Sequence, residues 1–91
     1  MYLVKRTFRK TDANTKFFED YGFELYQKNT YQITHDHKIV DNDCMRHIQV
    51  WLNEEKFKQW STDPTVQSYI SSMSQYNVDN NIVLNEIRAN V

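Results

Sequence analysis

The sequence predicts an α+β domain with the element order β-α-β-β-α-β. Three observations carry this. Residues 31–40 alternate in period two, with Tyr31, Ile33, His35, His37 and Ile39 on one side and Gln32, Thr34, Asp36 and Lys38 on the other. Residues 45–52 read as a strand that runs straight into an amphipathic helical stretch broken at Asp63-Pro64. The two ends of the chain, residues 2–9 and 82–89, are free of breakers and rich in aromatic, aliphatic or β-branched residues, as strands are.

Residues 2–9 are rich in aromatic and β-branched side chains and form the first predicted strand. Residues 10–14 are a polar connection in which Asp12 or Asn14 can cap a helix. From residue 15 to about residue 28, Phe17, Phe18, Tyr21 and Leu25 fall on one helical face. Gly22 lies inside that pattern and either weakens the helix by ~1 kcal/mol or ends it early.

Asp41-Asn42-Asp43 is turn chemistry, because these side chains bond their own backbone and tolerate left-handed conformations. Two hairpin registers follow from it. A three-residue loop centred on Asn42 pairs His37 with His47. A four-residue loop pairs Ile39 with Cys44 and sends His47 to the opposite face. The second register is preferred, since it sets Tyr31 and Ile33 with Val50 and Leu52.

Asn53 is a good N-cap, with Glu54 and Glu55 at the positive end of the helix dipole and Phe57 and Trp60 on one side. The helix restarts at Asp63, and Pro64 suits the first helical position, where its missing N–H would be unpaired anyway. Val66, Tyr69, Ile70, Met73 and Tyr76 continue the stripe; residues 77–81 connect to the last strand. This order is the ferredoxin-like split unit, a four-stranded antiparallel sheet with two helices on one face. With Ile48, Val50 and Leu52 taken as helix-facing, Met45, His47, Gln49 and Trp51 face away, and both sides of the last strand are apolar. Two apolar sheet faces predict that a second copy covers the outer one.

At 91 residues the chain is one domain, spanning 1–91. A chain this short buries only ~60–65% of its unfolded surface. Its mean hydropathy is −0.80. Six Tyr, five Phe and two Trp supply the core area instead. The net charge of −1 gives no field to attract nucleic acid or anionic lipid. The cluster Lys5, Arg6, Arg9, Lys10 and Lys16 therefore reads as a solvated strand end. A single Cys excludes an internal disulfide, and Cys44, beside Asp43, reads as an ordinary thiol. The first residues lack the apolar core of a signal peptide and no run approaches a membrane span, so a cytoplasmic protein is expected.

His35-x-His37 places two imidazoles on one side of a strand, a spacing that suits one metal; His47 is a third candidate in the first register only. A single Cys makes structural zinc a poor fit, and no metal or cofactor is expected. Phe17, Tyr21, His35, Phe57, Trp60, Tyr69 and Met73 are the candidate lining of a mostly apolar ligand pocket. His35 and Tyr69 are the candidate catalytic residues, His35 as a base because its ordinary pKa lies near neutrality. No nucleophile–base–orienter set is visible.

The spacing Trp51, five residues, Phe57, two residues, Trp60, then a break at Asp63, resembles the dimeric α/β-barrel superfamily. It is most similar to the antibiotic biosynthesis and haem-degrading monooxygenases. The resemblance implies a homodimer with its sheets face to face and a pocket between helices and sheet in each subunit. It also implies cofactor-independent oxygenation of a phenolic substrate as one possible activity. Haem degradation fits poorly: Trp60 matches, but the His position falls at Tyr69 or Ile70 and residues 2–9 contain no Asn. A small-molecule binder, such an oxygenase, and a dimerising module without ligand are the three readings.

Overall fold

The computed structural model describes the backbone of residues 1–22, 32–39 and 43–91, and the side chains of residues 1–21 and 43–91. The strands are β1 (Tyr2–Arg9), β2 (Gln32–Ile39), β3 (Cys44–Trp51) and β4 (Asn85–Asn90). The helices are α1 (Asp12–Phe17), which passes into a π turn at Phe18–Gly22, α2 (Glu54–Ser61) and α3 (Pro64–Asp79). The sheet order is β2-β3-β1-β4, with every neighbouring pair antiparallel. Order and connections are those of a ferredoxin-like α+β fold.

The hairpin takes the register that the sequence argument ranked second. Ile39 pairs with Met45, and His37 with His47. The reason is an irregularity: the register shifts between Gln32 and Thr34, so the pairing extrapolated from Tyr31 and Ile33 does not hold along the strand.

The sheet faces are likewise reversed. Tyr2, Val4 and Phe8 on β1, and Met45, His47, Gln49 and Trp51 on β3, are all buried. They lie on the helix side, where Trp51 packs on Phe57 and Trp60 at ring separations of 5.7 and 5.2 Å. Ile48 and Val50 face the other way, with Leu3, Lys5, Ile87 and Ala89 at matching positions. The cause is packing size: Trp51, Met45, Phe8 and Tyr2 fill the space under the helices better than Ile and Val.

Local chemistry sets the helix ends. Thr11, not Asp12 or Asn14, caps α1. Its hydroxyl accepts from Asn14 N at 3.1 Å, and Asn14 Oδ1 accepts from Thr11 N at 2.9 Å, a reciprocal capping box. Asn14 is consumed there and is buried, also donating to Arg9 O at 3.0 Å. Of the predicted apolar face, Phe18 is buried, Phe17 half-buried and Tyr21 60% exposed. Leu25 and the extension to residue 28 lie outside the described residues. Asn53 and Asp63 cap α2 and α3 as expected, with Pro64 opening α3. α3 runs three residues past Tyr76, and β4 begins only at Asn85. Ile82 is therefore not a strand residue; it is buried against Phe8, Met45 and Tyr76. No helix among the described residues is long and apolar enough to cross a membrane.

Candidate functional site

The strand registers line up side chains in rows across the helix-facing side of the sheet. One row runs His47, Arg6, Glu86 from β3 to β4, and the next Gln49, Val4, Arg88; by backbone register His37 pairs with His47 and His35 with Gln49. β1 alternates Tyr2, Val4, Arg6, Phe8 inward, so Arg6 arrives under the helices simply by being even-numbered in a regular strand.

An ionic ladder stands on these rows. Arg6 Nε donates to Glu86 Oε2 at 2.9 Å, and its Nη1 donates to Gln49 Oε1 at 2.6 Å. Arg88 Nε donates to the second Glu86 oxygen, Oε1, at 2.6 Å. The Arg88 guanidinium also lies over the Phe57 ring, 4.9 Å from its centroid. The Arg6 side chain is 13% exposed. Partial burial pushes the Glu86 carboxyl upward, but the Arg6 charge and the Arg88 hydrogen bond outweigh it and hold the group below the usual carboxylate range. His47, 3% exposed, is held between aromatic rings, with Phe18 at 4.6 Å and Phe8 edge-on at 5.4 Å.

A cavity of about 500 Å³ lies between these rows and α3. Its sheet wall is Arg6, Phe8, His47, Glu86 and Arg88, and Phe57 and Lys58 close it from α2. Tyr69, Ile70, Met73 and Asn77 face it from α3, and Leu84 stands at the β4 end. A second, more open hollow of about 620 Å³ lies beyond Tyr69, between α1 and the start of α3, with Phe17 and Tyr21 in its wall. Tyr69 stands between the two, its ring stacked on Phe17 at 5.1 Å with the planes 2° apart.

The residues predicted to line one pocket are thus divided. Phe57, Tyr69 and Met73 line the cavity under α3. Phe17 and Tyr21 line the outer hollow with Tyr69. Trp60 is packed on Trp51 and Phe57 in the core. His35 sits opposite Gln49 by register, and its side chain lies outside the described residues, as does that of His37. Among the described residues no group of three His, Cys, Asp or Glu could hold a metal ion.

The sequence argument missed Arg6, His47, Glu86 and Arg88 as wall residues. It had assigned Arg6 to a solvated cluster. The available signal was an arginine at an inward position of an otherwise apolar alternation, which requires a buried partner.

No family model and no curated protein matches the chain. Solved structures do. Its structural neighbours are proteins of the antibiotic biosynthesis monooxygenase family. A Deinococcus radiodurans protein assigned to that family superposes with a TM-score of 0.72 at 10% identity, covering 100% of this chain and 92% of that one. One from Nitrosomonas europaea gives 0.72 at 11% identity, covering 100% and 98%. SnoaB of Streptomyces nogalater, a cofactor-independent oxygenase, gives 0.70 at 9% identity, covering 99% and 90%. At such identities the likeness shows the fold alone, a ferredoxin-like one, in keeping with the resemblance carried by Trp51, Phe57 and Trp60.

Proposed function

We propose that the chain binds a small aromatic molecule in the cavity under α3, as a homodimer joined through its outer sheet faces. The observation that carries this is the cavity itself. Its volume of about 500 Å³ falls within the range of small-molecule sites, and its walls combine apolar area from Phe8, Phe57, Ile70, Met73 and Leu84 with a few polar groups. Met73 adapts its shape to a guest at little cost. Native mass spectrometry of freshly purified protein tests the reading: a co-purified organic mass supports it. An empty protein that also fails to take up any aromatic probe leaves only the dimerising module.

A second reading has its own observation. His47 and Tyr69 stand on opposite walls of the one cavity. An imidazole there can take the proton of a bound phenol, and an electron-rich phenolate can react with dioxygen directly. Oxidation of a phenol to the corresponding quinone consumes one O2 and releases one water. SnoaB performs cofactor-independent oxygenation on this fold. Oxygen uptake with polyphenols, lost in His47→Ala and retained in Tyr21→Phe, supports this reading. Uptake unchanged in His47→Ala removes His47 from it and leaves His35 as the remaining candidate base.

A further inference from the structure

We propose that the ligand of the cavity under α3 is an aromatic acid whose carboxylate is held by Arg6 and Arg88. This deepens the binding reading above and rests on it.

The first argument is charge. Among the described residues the wall carries three cations, Arg6, Lys58 and Arg88, against the single carboxylate of Glu86. Lys58 is offset from outside the wall by Glu54 at 3.4 Å. Among the described residues Arg6 and Arg88 share one counter-charge between them, which leaves one positive charge in excess at a partly dry surface. Arg6 is the deeper of the two, with side-chain exposures of 13% and 49%. A chain with net charge −1 has no general surplus of cations to scatter here. An uncompensated guanidinium out of water is costly, and an entering anion repays that cost.

The second argument is donor inventory. Each guanidinium has five N–H groups. Arg6 uses Nε on Glu86 and Nη1 on Gln49; Arg88 uses Nε on Glu86. The remaining N–H groups of both have no acceptor among the described residues. Glu86 already demonstrates the required geometry, since its two oxygens each accept from a different arginine. A second carboxylate can take the other edge of the same pair, and the planar fork of Arg favours carboxylate over a single oxygen.

The third argument is what lies beside the charge. Arg88 is braced over Phe57, and Tyr69, Ile70 and Met73 lie across the cavity. An acid group at the ladder therefore leaves an aromatic body against an apolar wall.

The test compares naphthoate with its neutral isostere, naphthalenemethanol, by isothermal titration calorimetry on the whole chain. Naphthoate is expected to bind at least about tenfold tighter, the scale of a charge-assisted hydrogen bond. Arg6→Met is expected to abolish that preference. Because Arg6 is half-buried and its loss can disturb folding, Arg88→Met at a more exposed position is the second variant, with its fold checked by circular dichroism; the preference should fall at least about threefold. Met73→Trp, which fills the cavity, is expected to exclude both probes. Equal binding of the two probes, or a preference unchanged in both arginine variants, overturns the acid assignment while the apolar binding reading stands. Binding of neither probe overturns both.

Discussion

Arg6 and Glu86 are cross-strand partners whose side chains close an ion pair of 2.9 Å on the helix-facing side of the sheet. The pair is the point at which the sheet's polar wall meets its apolar core. Its consequence for stability depends on pH, and the sign follows from the Glu86 carboxyl. That pKa is depressed in the folded chain by Arg6 and Arg88 against the opposing effect of burial. A depressed carboxyl contributes stability above its unfolded pKa and loses it as pH falls through the folded value. Urea unfolding should therefore find Glu86→Gln less stable than wild type at neutral pH, with the gap closing at the acid end. The gap should be modest, on the order of 1 kcal/mol or less, because the group is partly solvated. A gap that widens toward acid would contradict the ladder.

Phe18 should be the most costly residue of the first helical segment to truncate. It is fully buried and sits against the His47 ring. Phe18→Ala should lower unfolding stability by about 3–5 kcal/mol in urea titration. Tyr21→Ala, on the exposed side of the same turn, should cost under about 1 kcal/mol. Similar costs at both positions would mean that the π turn is misassigned.

These two residues also mark what was legible in the sequence. The element order and the Asn53 and Asp63 caps could be read, because each is local chemistry or short-range periodicity; Trp51 was assigned to the outer face, whereas it packs on Phe57 and Trp60. The capping of α1 was misread, at Asp12 or Asn14 instead of Thr11, since all three are competent caps. The hairpin register could not be read. It depends on the irregularity between Gln32 and Thr34, which periodicity in residues 31–40 conceals. A one-residue slip turns every side chain over, so the inward placement of His47 and Gln49 was lost with it. The ionic ladder was hidden for a different reason: Arg6 is 80 residues from Glu86 in sequence and meets it, and Arg88 beside it, only through β1–β4 pairing.

The start of α3 should be sensitive to its cap. Asp63 Oδ1 accepts from Thr65 N at 2.9 Å and from Val66 N at 3.3 Å, and its charge faces the positive end of the helix. Asp63→Ala should cost about 0.5–2 kcal/mol of unfolding stability, and Asp63→Asn should recover most of it. Both are readable by thermal or urea melts. Since α3 roofs the cavity, the Ala variant should also weaken any aromatic probe that the wild type binds.

The outer sheet face decides the proposed assembly. Across it, Ile48, Lys5 and Ile87 form one row, and Val50, Leu3 and Ala89 the next. Ile87 is 57% exposed in the single chain, and Leu3, Ile48 and Val50 are half-buried. An apolar patch spread over three adjacent strands is the kind of surface a second copy covers. Ile48→Glu combined with Ile87→Glu places two like charges near the centre of such an interface and their images opposite them. Light scattering coupled to size exclusion should find a dimer for the wild type and a monomer for this double variant. Val78→Glu, equally exposed but on α3, should remain dimeric. A wild-type monomer at micromolar concentration would remove the interface, while the cavity, built entirely from one chain, would stand without it.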